Sequence, residues 1–186
     1  MIYPEYCYVD VAIGGARNRN NVTHIDKVNI PPNAYGCYVS MFRFKKEYKE
    51  LCYSTNPPSV RGASQFLCYS DFIWFDVDSD DLKTAWQDTR KLLLVIKTME
   101  LIRSTVVFFS GSKGFHVGIP TTMFKLEPAV NLPSMVREIA GNIAESAKAN
   151  IDMKIYNHNR LWRIPGSIHQ KTENRKIQLL HKEFEL

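Results

Sequence analysis

The chain has 186 residues, 45% hydrophobic and 12% aromatic, and its 24 Lys and Arg against 19 Asp and Glu give a formal charge of +5. That is enough for one domain, or a tight pair of subdomains, with a packed core, and it excludes global disorder. The longest aliphatic run, Leu92 to Ile96, is far short of the ~20 apolar residues that cross a bilayer, and the opening Met-Ile-Tyr-Pro-Glu-Tyr has neither a basic leader nor an apolar signal segment, so no membrane association and a cytoplasmic location are expected.

Residues 1–70 read as short strands at Cys7 to Ile13 and Tyr35 to Phe44, a polar loop from Gly14 to Asn21, and a short helix near Lys45 to Leu51. Pro57-Pro58 and Gly62 then break the pattern. Cys7, Cys37, Cys52 and Cys68 form no C-x-x-C pair, so four buried or half-buried thiols are expected rather than a zinc site or a disulfide framework.

From residue 71 the periodicities sharpen. Phe72 to Asp78 alternates as a strand. Ser79-Asp80-Asp81 starts a helix, with acids where the helix dipole is positive, and Leu82, Ala85, Trp86, Leu92, Leu93 and Ile96 carry it towards Leu101. Thr105 to Phe109, the glycine turn Ser110 to Gly114, and Phe115 to Ile119 form a hairpin. Pro133, Val136, Ile139, Ala140, Ile143 and Ala147 mark a second amphipathic helix. Leu161 to Ile164 and Lys176 to Leu180 are further strands.

The expected class is therefore α+β. Residues 71–186 form an RNA-recognition-like β-α-β-β-α-β subdomain, and residues 1–70 a smaller α/β subdomain packed on it. Helices cover one face of the sheet, and the other face is expected to be open.

Strand parity sends chemistry to that open face. Ile73, Phe75 and Val77 should meet the helices, leaving Trp74, Asp76 and Asp78 on the far side. By the same parity Phe115, Val117 and Ile119 face the helices and His116 faces out; Trp162 and Ile164 face in and Arg163 out. Carboxylates at i and i+2 on one strand suit divalent cations, which take hard oxygen ligands, and Asp152 is the best third ligand. Asp80 and Asp81 read as helix-cap acids instead.

The turn Ser110-Gly-Ser-Lys-Gly114 can wrap an anion with backbone N–H groups, the hydroxyls of Ser110 and Ser112, and the Lys113 ammonium. It lacks the spacing of a P-loop. Pro165-Gly166 turns the chain so that Arg163 and His169 can meet the same anion, and His116 can donate to it. Lys154 to Lys176 holds six basic residues against Glu173 alone, a local +5 that points to an anionic partner. Of these, Arg160, Lys171, Arg175 and Lys176 read as solvated or in contact with a nucleic-acid backbone.

Taken together, Asp76-Val-Asp78, Ser110-Gly-Ser-Lys-Gly-Phe-His116, and Asp152 followed by Arg163-Ile-Pro-Gly-Ser-Ile-His169-Gln-Lys171-Thr resemble the archaeo-eukaryotic primase superfamily over residues 70–180. The style of the third block is similar to primase-polymerases of mobile elements and CRISPR-associated loci. The resemblance implies template-directed nucleotidyl transfer on single-stranded DNA, with a primer and NTP or dNTP substrates. It implies that Asp76, Asp78 and Asp152 are catalytic and hold two Mg²⁺ or Mn²⁺ ions. It also implies that Ser110, Ser112, Lys113, His116, Arg163 and His169 bind the incoming nucleotide. Where the family often has arginine in the turn, this chain has Ser112 and Lys113. Further domains or proteins of a replication or CRISPR adaptation system are implied partners.

Two other classes fit some of the residues. Lys113-Gly-Phe-His-Val-Gly-Ile119 superficially matches the signature of a non-catalytic RNA-recognition module, which would turn Phe115 and Val117 outward to stack bases. A metal-dependent nuclease would use the same carboxylates with His116 as general base.

Overall fold

A computed structural model describes residues 2–184. The chain folds into two antiparallel sheets and three helices that share one hydrophobic core.

The first sheet is built mostly by the N-terminal third. Its strands are β1 (Tyr8–Ala12), β2 (Asn21–His24), β3 (Tyr38–Ser40), β4 (Arg43–Phe44) and β5 (Cys68–Tyr69), with helix α1 (Glu47–Tyr53) between the last two. β1 pairs with β2 on one side and with β3 and β4 on the other. The stretch expected as one strand from Tyr35 to Phe44 is thus two short strands interrupted at Met41-Phe42. Asp10 lies inside β1 and is fully buried, which requires partners. It accepts from the backbone N–H of Asn20 and Asn21 and is paired with Arg19 at 2.9 Å. These bonds fix the return from the polar loop into β2. The four cysteines are free and buried, as expected.

The second sheet comprises β6 (Phe72–Asp78), β7 (Val106–Phe109), β8 (Gly114–Pro120) and β10 (Ile177–Leu179). Its strand order is β10-β7-β8-β6. Helices α2 (Leu82–Thr98) and α3 (Leu132–Ala147) pack on one face. Ile73, Phe75 and Val77, with Phe115, Val117 and Ile119, are buried there, each contributing roughly 1.5–3 kcal/mol by leaving water. Asp81 caps α2: its carboxylate accepts from the N–H of Lys83 at 2.8 Å and from Thr84. Its carboxyl is held below the ordinary value chiefly by the Thr84 hydrogen bond. α3 starts with Pro133 in its first turn and ends where Lys148 adopts a left-handed φ of 50°.

Two expectations change. The chain order β-α-β-β-α-β is present, but its last strand, β9 (Leu161–Arg163), pairs with β3 of the first sheet and not with β6. Trp162 therefore faces Trp74 and His116 from across the cleft, not the helices. Accordingly the far face of the second sheet is not open. β9 and aromatic rings roof much of it, and His116 is only 7% exposed. The vacated place beside β6 is taken at one point, where the N–H of Asp152 donates to the Asp76 carbonyl at 2.8 Å.

Candidate active site

The acidic wall rises from the paired strands β6 and β8. Asp76 sits opposite His116 and Asp78 opposite Gly114 in the strand register. Strand parity sends both carboxylates to the cleft, as the alternation of Phe72 to Asp78 requires. Asp152 joins them through the backbone bond to Asp76. Its own Oδ1 caps the following turn by accepting from the Lys154 N–H at 2.8 Å. Burial pushes the Asp76 carboxyl up to about 6; Arg160 opposes this, while Asp78 and Asp152 reinforce it. Asp78 is exposed at the mouth.

Sequence reasoning sent Arg160 to solvent or a nucleic-acid backbone. The structure places it inside the acidic wall instead, with Nη2 3.6 Å from Asp76 Oδ2 and 3.7 Å from Asp152 Oδ2. Charge count alone gave no signal for this, because Arg160 and Arg163 differ only in which side of a short strand they leave.

His116 stands behind Asp76. Its Nε2 is 3.5 Å from Asp76 Oδ1, and its ring lies 4.1 Å below that of Trp162. Burial, aided by Lys176, Arg163 and Arg160, holds its pKa well below the ordinary 6.5, so the ring is neutral at neutral pH. The buried Nδ1 has no hydrogen-bond partner among the described residues.

Lys176 needs a larger correction. Expected on the nucleic-acid face, it is 1% exposed. Its ammonium lies among Trp74, Phe108 and Trp162, 5.0–5.5 Å from each ring centroid, and donates to the Arg163 carbonyl at 2.7 Å. Burial lowers its pKa to about 7, with Arg163 adding to the drop and Asp76 opposing it. Cation–π attraction and one hydrogen bond offset part of the desolvation. The cage supports β9 from below.

The opposite wall is made of loops. The Ser110–Gly114 turn ends beside Asp78, since Gly114 pairs with it. A side chain at Gly114 would collide with the Val77 carbonyl. Gly111 has φ 90°, and a Cβ there would press on Asn174 and His169. The Arg163 guanidinium donates to the Ser110 carbonyl at 2.5 Å and lies 5.7 Å from the Tyr38 ring centroid. The Thr172 hydroxyl bonds the Gly111 carbonyl. Turn and 163–175 segment are thereby tied together, which brings Ser110, Ser112, Arg163 and His169 into one neighbourhood. His169 Nδ1 accepts from the N–H groups of Lys171 and Thr172. Its pKa is lowered, first by burial and then by Arg163 and Lys171. Lys113 is exposed and reaches Asp80 at 3.7 Å. Lys171 is exposed, whereas Arg175 is pinned between the Gly166 carbonyl and Asn33.

Tyr156 belongs to the site although the sequence gave no reason to select it. Its hydroxyl donates to the Trp74 carbonyl at 2.7 Å, and burial raises its pKa, with Asp76 and Asp152 adding to the rise.

Among the described residues, no three His, Cys, Asp or Glu side chains stand close enough to hold an ion as they are. The donor set still suits a hard divalent cation. Asp76, Asp78 and Asp152 offer only carboxylate oxygens, and Asp76 is repelled by both of the others.

No helix among the described residues is long and apolar enough to cross a membrane. No protein-family model matches the sequence, and no curated protein does. Two solved structures share the architecture. The archaeo-eukaryotic primase domain of the cyanophage S-2L primase-polymerase is 16% identical, with TM-score 0.51, over 94% of this chain and 82% of that one. The polymerase domain of Mycobacterium tuberculosis ligase D, solved in complex with DNA, is 13% identical, with TM-score 0.53, over all of this chain and 77% of that one. Over the whole chain the architecture is that of these two domains, the archaeo-eukaryotic primase fold.

Proposed function

We propose that this chain is a nucleotidyltransferase that extends or starts a primer on single-stranded DNA, using NTPs or dNTPs. The observation that carries the reading is the meeting of two walls at one end of the β6–β8 strand pair. Three carboxylates (Asp76, Asp78 and Asp152) lie on one side, and the Ser110–Gly114 turn, with Arg163 and His169 behind it, lies on the other. A triphosphate needs the second wall, and divalent cations suit the first.

In this reading Asp76, Asp78 and Asp152 hold two Mg²⁺ or Mn²⁺ ions. Bound there, such ions would lower the pKa of an attacking 3′-hydroxyl and offset charge on the triphosphate and on departing pyrophosphate. The chain's own groups do the positioning. Arg163 and Lys113 supply fixed positive charge to phosphate oxygens, and the hydroxyls of Ser110 and Ser112 donate to them. His169 presents a neutral ring at neutral pH. Neutral His116 is buried at 7% exposure with Nε2 3.5 Å from Asp76 Oδ1, which leaves it little access to an attacking water. That position weighs against the nuclease reading. The RNA-recognition reading needs Phe115 and Val117 on the surface, yet they are 3% and 0% exposed under the helices.

The test is incubation with single-stranded DNA templates, with and without primer, labelled rNTPs or dNTPs, and Mg²⁺ or Mn²⁺. The wild-type chain should yield extended product, and Asp76→Ala/Asp78→Ala should yield none. Template degradation, or binding without product under either metal, would exclude the polymerase reading.

A further inference from the structure

We propose that Arg160 is an exchangeable counter-cation of the acidic wall: its guanidinium bridges Asp76 and Asp152 in the metal-free protein, and a divalent ion must displace it to use those carboxylates. The inference rests on the reading of Asp76, Asp78 and Asp152 as metal ligands.

Three observations support it. The first is position. One nitrogen, Nη2, faces both carboxylates, at 3.6 Å from Asp76 and 3.7 Å from Asp152. A parallel fork on a single carboxylate would be shorter and stronger, at about 2.7–2.9 Å. This contact neutralises two acids without locking onto either.

The second is anchorage. The Arg160 N–H donates to the Asn157 carbonyl at 3.0 Å, and the Arg160 carbonyl accepts from the Met41 N–H at 2.8 Å. The preceding Asn159 carbonyl accepts from Arg19, which is itself held by fully buried Asp10. The backbone is therefore fixed, and the guanidinium can leave by side-chain rotation alone.

The third is incomplete satisfaction. Arg160 Nε is buried with no hydrogen-bond partner among the described residues. A guanidinium has five N–H donors and cannot lose its proton in a protein, so it resolves competition with a metal only by moving. Once displaced, it carries a donor fork matched to phosphate oxygens. Metal entry and exposure of a phosphate-seeking cation are thereby one event.

Mn²⁺ titration calorimetry on the whole chain without nucleotide tests this, alongside the melting temperature of the metal-free protein. The wild type should bind Mn²⁺ and Asp76→Asn should not. Arg160→Gln should bind Mn²⁺ at least 10-fold more tightly and melt at a lower temperature without metal, because the acids then repel unopposed. A merely structural arginine would weaken metal binding when removed. Arg160→Lys, which keeps the charge but loses the reach to both carboxylates, should bind about 3-fold more tightly and guards against a misfolded Gln variant. If the wild type binds Mn²⁺ and neither variant binds more tightly, the counter-cation role is overturned while the metal reading stands. If neither wild type nor variants bind, the metal reading falls and takes this role with it.

Discussion

The two walls of the cleft are built on different principles. The carboxylates Asp76 and Asp78 stand on a strand, β6, paired with β8 over seven residues, and their direction follows from strand alternation. The cations Arg163 and Lys176 and the ring of His169 come from a three-residue strand and the segment after it. These are held by bonds between side chains and backbone carbonyls: Arg163 to Ser110, Lys176 to Arg163, Thr172 to Gly111. The acidic wall is fixed by regular structure, and the cationic wall by a net of single contacts. Damage to the first should therefore be all-or-none, and damage to the second should be graded.

The largest effect is expected at Gly114. Any Cβ there meets the Val77 carbonyl inside the β6–β8 ladder, and backbone cannot step aside cheaply. Gly114→Val should cost at least ~3 kcal/mol, read as a fall in the urea midpoint or loss of folded protein. A variant as stable as wild type would mean that the β6–β8 pair is not the rigid frame described.

Lys176 gives a medium effect of opposite sign. Its pKa is near 7 in the fold and near 10.5 in the unfolded chain. Between those values the unfolded chain holds a proton that the folded chain has released, so this group makes stability rise with pH from about 7 to about 10.5. Lys176→Met should remove that slope. It should also raise stability at pH 7 by roughly 1–2 kcal/mol, the lower part of the range seen when buried charges become apolar, because a hydrogen bond and three ring contacts are lost. Urea melts at several pH values measure both. An unchanged slope would place the ammonium in water.

A smaller effect separates Arg163 from Arg175. Arg163 faces the turn, whereas Arg175 is occupied by Gly166 and Asn33 on the exposed side. Arg163→Ala should weaken nucleotide binding about 10-fold or more, as expected for a charge-assisted contact of 1.5–3 kcal/mol, and Arg175→Ala should do so by less than about 3-fold. Equal effects in a nucleotide titration would erase the distinction between the two arginines.

The same contrast explains what the sequence made legible. The apolar alternation of Phe72 to Asp78 and the helical spacing of Leu82 to Ile96 are local, so strand, helix, cap and parity could be read directly. Strand partnership is not local. A three-residue strand such as Leu161–Arg163 shows that its side chains alternate, but not which sheet it joins, and the error at Trp162 follows from that alone. β2 and β5 were missed because four and two residues carry too little pattern. Arg160, Arg163, Arg175 and Lys176 look alike in a charge count. Only tertiary packing makes one a bridge, one a turn clasp, one a surface tie and one a caged ammonium.

Single-nucleotide incorporation on a primed single-stranded DNA template, measured across nucleotide concentration with Mn²⁺ present, tests the division of labour most directly. Asp78→Asn should abolish incorporation at every concentration, a loss of at least about 10³-fold in kcat, because the proposed function has the carboxylate wall serve the chemical step. Arg163→Ala should raise KM and recover much of the wild-type rate at saturating nucleotide. Substantial incorporation by Asp78→Asn, or the same loss of kcat in both variants, would contradict the account.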